Sequence, residues 1–482
     1  MLNSSPTAPS RETAAPLVIG VTSHRNIPVR EEEAIRARVR SFFAMLHAAY
    51  PLSPLILLSP LAQGGDQWAA DEALKAGIRL VAPLPMSRAQ HEQDFSDGNA
   101  RAAFKALCDH AEVVELSCVD KTATKAEHAR DPGIERDRRY ANAGMYLSTH
   151  CHILIAIWDG KDSGRLGGTA QIVNFHLRGI EPPAIGRRLN VARHNPLGSD
   201  NESLLFHIVC SREQPDGSPA APLRPLQAYW RFKEMTVRRV DTVPDEFRAM
   251  FAHMGEFNAD WARYRTRVDA REKAMRARSV ASASARTSSD RSPSASEVVD
   301  VSHGRAGQEA QVSRRPGMAE RDPIDALFGA ADWLAIHFQR RVLFALRAIY
   351  TMAALMGIAF VYYANFPVQD HMIFVFLALF GSGVWISLLA GRRGWQRKSV
   401  DYRALAEGLR VQSYWRRAGL SATGDAEFVH DNFLQKQDVE LGWIRNVMRS
   451  ADLVGDLRAR TAPADGLAQV IAEWVGESGK SG

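Results

Sequence analysis

Short, unbroken apolar runs alternate with helically periodic stretches through the first half of the chain. Leu17 to Val21, Leu55 to Leu61, Leu80 to Leu84, Val113 to Leu116 and Ile153 to Trp158 have the length and continuity of buried strands. Between them, Glu31 to Ala49, Asp66 to Ala76, Asn99 to Ala111 and Glu135 to Thr149 carry apolar positions at helical spacing. Successive βα units of this kind predict an α/β domain built on a parallel, doubly wound sheet. Gln171 to Leu177 predicts a last helix, Glu181 to Asn201 a long loop rich in Pro, Gly and Arg, and Phe206 to Ser211 a strand closing the sheet.

Beyond this region the pattern changes. Pro244 to Arg271 is helical, whereas Ser279 to Pro316 is a Ser, Ala and Arg tract almost without large apolar residues, the composition of a disordered linker. Asp322 to Arg347 returns to helix, with Leu327, Trp333, Leu334 and Phe338 on apolar positions. Ala348 to Phe366 and Met372 to Ala390 follow, each about 19 residues long without a charged side chain, enough helix to cross a ~30 Å hydrocarbon core. Arg340, Arg341 and Arg347 precede the pair and Arg392, Arg393, Arg397 and Lys398 follow it, so the positive-inside rule puts both flanks in the cytoplasm. The expected topology is a two-helix, multi-pass protein of the inner (plasma) membrane with both termini cytoplasmic. Leu405, Leu409, Tyr414 and Trp415, then Phe433, Leu441, Trp443 and Ile444, predict further helices packed under the membrane.

The domains expected are a disordered terminus over 1–15, an α/β domain with a helical extension over 16–275, the linker over 276–320, an all-α two-transmembrane domain over 321–455 and a tail over 456–482. A flexible linker argues against rigid coupling, so clustering of the α/β domains is the expected route of communication. The formal net charge of +6 suits a cytosolic face beside anionic lipid, and nucleic acid ranks last among partners. Met1 to Pro16 lacks the apolar core of a signal peptide. The four cysteines, Cys108, Cys118, Cys151 and Cys210, form no CxxC pair and are expected to be reduced core residues. His150, Cys151 and His152, if on a strand, would point to alternate faces, which disfavours a shared metal.

Candidate chemistry gathers at three turns: Gly20, Thr22, Ser23 and His24 after the first strand, Gly64, Gly65 and Asp66 after the second, and Gly167, Gly168 and Thr169 after the fifth. At carboxyl ends of parallel strands, glycine lets backbone approach a ligand, and helix N-termini offer unbonded N–H groups to a phosphate. Arg138 and Arg139 are the basic candidates because a guanidinium grips phosphate bidentately, and Tyr140 and Trp158 are candidates to stack on a base. Each also has a plainer role, as turn glycine, cap or packing residue.

The sequences GVTSHR (Gly20 to Arg25), QGGDQWAADEAL (Gln63 to Leu74), RRYANAG (Arg138 to Gly144) and LIAIWDG (Leu154 to Gly160) followed by GGTAQIV (Gly167 to Val173) resemble the SLOG superfamily over roughly Leu17 to Ser211. That group includes LOG-type cytokinin phosphoribohydrolases, DNA-processing protein A and the N-terminal domains of TRPM channels. The resemblance implies a Rossmann-like pocket for a nucleotide or an NAD-derived molecule such as ADP-ribose or its cyclic forms, with no cofactor required. The superfamily's enzymes use a Glu three residues after the motif Thr, and here that position is Ile172. Binding is therefore expected rather than hydrolysis, Asp159 being the one substitute carboxylate beside the glycine turn. YRALAEGLRVQSYWRRAGL (Tyr402 to Leu420) and ELGWIRNVMR (Glu440 to Arg449), set after a two-helix hairpin, resemble the SLATT family of two-transmembrane proteins over about Pro323 to Ala451. That likeness implies a pore-forming effector of bacterial conflict and anti-phage defence. Ala353 and Gly357, and Ala378 and Ser382, would allow close helix packing. Taken together, these readings predict a homo-oligomeric membrane sensor-effector for a nucleotide signal, the alternative being a membrane-tethered nucleotide hydrolase with the hairpin only an anchor.

Overall fold

A computed structural model describes residues 14–95, 97–116, 132–162, 164–178, 203–232, 235–237, 239–289, 322–365, 371–418, 441–457, 467, 470 and 471. Its centre is one eight-stranded sheet. The strands are β1 (Leu17–Ser23), β2 (Leu55–Leu58), β3 (Arg79–Leu84), β4 (Glu112–Glu115), β5 (Ile153–Trp158), β6 (Leu204–Val209), β7 (Ala228–Phe232) and β8 (Met235–Val237). Their order is β4-β3-β2-β1-β5-β6-β7-β8; β1 to β6 are parallel, and β7 and β8 add an antiparallel edge.

The continuous apolar runs become strands buried on both faces. Leu17, Ile19, Val21, Ile153, Ile155 and Ile157 point into one core, and Val18, Ile56, Leu58, Leu154 and Ala156 into another across the sheet. Helices α1 (Val29–Ala49), α2 (Gly65–Lys75) and α4 (Gly98–His110) cover the first face, and a short α3 (Arg88–Gln93) precedes α4. The second face takes α5 (Pro132–His150) and α6 (Thr169–Arg178). Cys108, Cys151 and Cys210 are buried core residues.

Four sequence expectations need correction here. β4 was expected to be buried, but it is the edge strand with Val113 37% exposed; its flanking Glu112 and Glu115 mark a solvent-facing edge. The turn assigned to Gly20, Thr22 and Ser23 is strand, because Gly20, Thr22 and Ser23 pair with Leu154, Ala156 and Ile157. His150 ends α5 rather than lying on a strand. The helix α7 (Asp245–Ser289) runs through the expected start of the linker, and 290–321 lie outside the described residues, as do Cys118, Glu181, Asn201 and Phe433.

The remaining helices are α8 (Pro323–Asn365), α9 (His371–Arg392), α10 (Trp395–Arg417) and α11 (Gly442–Leu457). The first part of α8 buries Ile324, Leu327, Ala331, Leu334 and Phe338 at helical spacing. Past Arg347 the same helix exposes Tyr350 at 70% and Ile358 at 66%, and α9 has no buried residue. Both α8 and the segment beginning at His371 are long and apolar enough to cross a membrane. Being one continuous helix of 43 residues, roughly 65 Å at 1.5 Å per residue, α8 joins its packed half directly to its apolar half.

The expectation of flexible coupling is corrected as well. The core on the α1 face continues without a break into α7, α8, α10 and α11. Phe257 of α7, Phe338 of α8 and Trp443 of α11 surround Tyr402 of α10, with ring centroids 5.5, 5.8 and 6.0 Å away. Four helices therefore meet on one aromatic ring set, bypassing the linker.

Candidate functional site

β1 and β5 are neighbours, and the strand order turns back at that point, the place where open parallel sheets form a crevice beyond the carboxyl ends of their strands. Short polar side chains fasten its floor. Ser23 Oγ accepts a hydrogen bond from the Asp66 N–H at 2.9 Å, and the Ser23 carbonyl accepts one from Thr169 Oγ1 at 2.8 Å. His24 Nε2 stands 3.0 Å from Asp159 Oδ1, which also accepts the Lys161 N–H at 3.0 Å. Residues from the end of β5 and from the starts of α2 and α6 thus converge on the last residues of β1.

The glycines act by permitting close approach. Gly64 has φ +94°, and a Cβ there would lie 2.8 Å from the His24 carbonyl oxygen. A Cβ on Gly65 would meet Ile157 and Ser23 at 2.7 and 2.8 Å. Gly167, at φ +71°, lies against the α5 backbone, and its N–H is taken by Gln171 Oε1 at 2.7 Å. Gly168 accepts the Gln171 and Ile172 N–H groups in the first turn of α6. Gly20 does not reach the crevice. It makes room for α5, since a Cβ would sit 3.0 to 3.1 Å from Leu147, Cys151 and Leu154.

Burial works against ionisation of both carboxylates, but their neighbours leave them shifted in opposite senses. Asp66 is 2% exposed, and burial outweighs its Ser23 bond and the Arg25 charge, pushing its carboxyl up to about 7. Its Oδ1 has no hydrogen-bond partner among the described residues. Burial also opposes ionisation of Asp159, but the His24 ring, the Lys161 N–H and the Arg212 charge outweigh it and hold that carboxyl below its ordinary value.

The predicted arginines are displaced by one turn. Arg138 is exposed, and Arg139 Nε pairs with Glu135 Oε1 at 3.3 Å along α5. It is Arg136 that turns toward the crevice side, its Nε 3.0 Å from Asp94 Oδ2, while the Arg25 guanidinium lies 4.7 Å from the Tyr140 ring centroid. Tyr140 donates its hydroxyl to Asp94 Oδ2 at 2.5 Å and stands 3.2 Å from His91 Nδ1. Burial drives His91 down to about 4, so its imidazole is neutral at pH 7. Arg25 lies in the GVTSHR motif, and Arg136 stands four residues before the candidate Tyr140 on one helical face, a spacing that would have singled it out.

Ile172, where the resembled enzymes carry Glu, plugs the notch left by Gly144 on α5, where a Cβ would be 2.5 Å from its Cγ1. At the other end of the sheet, His150, Asp452 and Asp456 come close enough to share an ion. The Arg416 guanidinium already supplies a cation there, 3.7 Å from Asp452 Oδ1 and 3.0 Å from Asp456 Oδ1. The fold and site define a mixed α/β protein with a polar side-chain cluster at the sheet's carboxyl edge and two long apolar helices. No protein-family model matches the chain, and no curated protein matches it.

Proposed function

We propose that this chain is a membrane-anchored nucleotide sensor-effector. A Rossmann-like, SLOG-type domain would take a nucleotide or ADP-ribose-like signal in the β1/β5 crevice and control a SLATT-type two-helix module that permeabilises the bilayer as a homo-oligomer. Both termini would be cytoplasmic at the inner membrane, and the setting would be bacterial anti-phage defence. The observation that carries the reading is the buried Asp66 carboxylate, whose Oδ1 has no described partner beside the backbone turns of Gly64 and Thr169. A ribose hydroxyl or base amino group supplies the missing donor, and the N-termini of α2 and α6 favour the phosphate. Transmission rests on the shared core and on α8, which belongs to that core and to the apolar hairpin alike. A ligand shifts the module only by binding its active arrangement more tightly.

The test uses full-length protein in dye-loaded liposomes, challenged with cyclic ADP-ribose isomers and cyclic oligonucleotides. Release by one compound, lost on Thr169→Val with the fold intact, is the expected result. Silence across the panel from correctly folded protein overturns gating. The hydrolase alternative is favoured by one observation, the ionised Asp159 held beside His24. It predicts release of base or ribose phosphate by the full chain, abolished by Asp159→Asn.

A further inference from the structure

Where α9 ends at Arg392 and α10 begins at Trp395, a cavity of about 540 Å³ opens between α7, α8 and the joint of the two helices. Gly394 makes the joint in the left-handed region at φ +58°, so the chain turns there while α10 starts afresh. Six cationic side chains line the cavity: Arg263, Arg341, Arg392, Arg393, Arg397 and Lys398. Two carboxylates line the cavity with them and both are already engaged, while Asp401 Oδ2, outside the lining, lies 3.2 Å from Arg397. Glu256 binds the Arg397 guanidinium and lies 2.9 Å from Lys398 Nζ; Asp260 lies 2.6 Å from the same Nζ and accepts the Tyr402 hydroxyl at 2.8 Å. The other four cations have no ion-pair partner among the described residues, and Arg341 lies 5.5 Å from the Trp395 ring centroid.

Uncompensated guanidinium groups around a concave space call for an anion with several acceptor oxygens, and phosphate fits that geometry. The place decides where the phosphate comes from. The cavity opens at the foot of both apolar helices, beside Trp395, the level at which phospholipid headgroups and interfacial aromatic rings sit. We propose that this cavity binds the headgroup phosphate of an anionic glycerophospholipid, clamping the α8–α9 hairpin to the helices that share the sheet's core. The proposal rests on the membrane reading above but not on the nucleotide signal. It gives Arg263, on α7, a role in the membrane contact although it lies far from either span in sequence.

The experiment reconstitutes the full chain in vesicles of phosphatidylcholine with a minor share of phosphatidylglycerol, extracts it in mild detergent and quantifies the lipid retained per protein. Wild type should enrich phosphatidylglycerol roughly tenfold over its share in the vesicle, consistent with several surface cations acting together. Arg263→Gln combined with Arg392→Gln and Arg393→Gln, all at exposed positions, should return retention to the bulk ratio. Removing two cations outside the cavity, Arg340→Gln with Arg347→Gln, should leave the enrichment in place. No enrichment in wild type, or an equal loss in the control pair, overturns the proposal. Stable insertion into pure phosphatidylcholine, scored by resistance to alkaline extraction, reads the membrane assignment separately. Insertion without enrichment sinks the lipid site alone, and failure to insert sinks both. If millimolar inorganic phosphate raises the melting temperature of lipid-free protein as much as phosphatidylglycerol does, through the same arginines, the site serves free phosphate and the lipid assignment falls.

Discussion

The two ends of the sheet are built differently. At the carboxyl end, β1 and β5 finish in a polar floor of Ser23, His24, Asp66, Asp159 and Thr169, held by single hydrogen bonds and glycine contacts. At the amino end, His152 accepts the Val18 N–H on Nδ1 at 3.0 Å and donates Nε2–H to the Asn446 carbonyl at 2.9 Å, stitching β1 and β5 to α11. Around that stitch aromatic packing is mixed with buried polar contacts, Arg449 donating to the Cys151 carbonyl at 3.4 Å and Arg416 standing 3.7 Å from Asp452 Oδ1. The crevice is a place where a ligand can add bonds that the protein lacks. The opposite end is tied to the helices through the His152 bonds, so it is placed to carry a change from the sheet to α11. Because β1 and β5 touch both ends, a shift at Ser23 or Asp159 has a direct strand path to α11.

The sharpest way to break the contrast is Trp443→Ala. Trp443 is fully buried among Phe257, Tyr402 and His253, and such a truncation costs about 3–5 kcal/mol. In denaturant titrations of detergent-solubilised protein, sheet and helices should lose stability together. If hydrogen exchange shows the β1 amides as protected as before while α10 opens, the two ends are separate units and the coupling argument fails.

Asp66→Asn tests the crevice end. The folded protein binds the Asp66 proton more tightly than the unfolded chain does, with a pKa about 7 against an ordinary 3.8. Its stabilising proton is therefore fully in place below about pH 4 and is lost as pH rises from there through about 7. Asn mimics the protonated form, so the variant should match wild type near pH 4 and exceed it at pH 8. The upper limit is about 4 kcal/mol, because each tenfold difference in proton affinity between folded and unfolded chain is worth about 1.36 kcal/mol. Any anionic ligand of the crevice should also bind wild type more tightly at pH 6 than at pH 8, a difference that Asp66→Asn removes. A flat comparison between variant and wild type over this range would show that Asp66 ionises freely.

His152→Ala probes the stitch with a smaller expected loss. It leaves the Val18 N–H and the Asn446 carbonyl without their present partner in a buried setting, about 2 kcal/mol by the usual cost of an orphaned group. The expected signature is uneven: ligand affinity in the crevice holds while ligand-triggered dye release declines. Loss of both in proportion would mean a simple loss of fold.

Much of this architecture was legible in the sequence, for a physical reason. Strands buried on both faces must be apolar at every position, so β1, β2, β3, β5 and β6 announce themselves as unbroken runs. β7 escaped because Ala228 to Phe232 mixes Arg231 with aromatics and pairs antiparallel at the far side of the sheet. The turn residues were found in the right neighbourhood, but Gly20 and the arginine pair were misplaced. Strand length and helical register, which decide where a side chain points, depend on partners such as Leu147 and Asp94 that are remote in sequence. The aromatic meeting of Phe257, Phe338, Tyr402 and Trp443 was invisible for the same reason. Each residue sat on a recognisable helical stripe, but no spacing tells one stripe which other stripe it faces.

The smallest perturbation isolates the crevice from everything else. Thr169→Val keeps the shape of a buried side chain, 6% exposed, and deletes one hydrogen bond, from Oγ1 to the Ser23 carbonyl. The stability cost should be about 1 kcal/mol, the ordinary worth of one hydrogen bond. Since α6 would then be tied less firmly to β1, the N-terminus that favours a phosphate loses its fixed distance from Ser23. Ligand affinity should therefore fall by more than stability does, at least about tenfold, or 1.4 kcal/mol. Calorimetric titration of wild type and variant with the compound that triggers release measures that ratio directly. Equal affinity at reduced stability would place the ligand elsewhere and leave Thr169 a packing residue between α6 and β1.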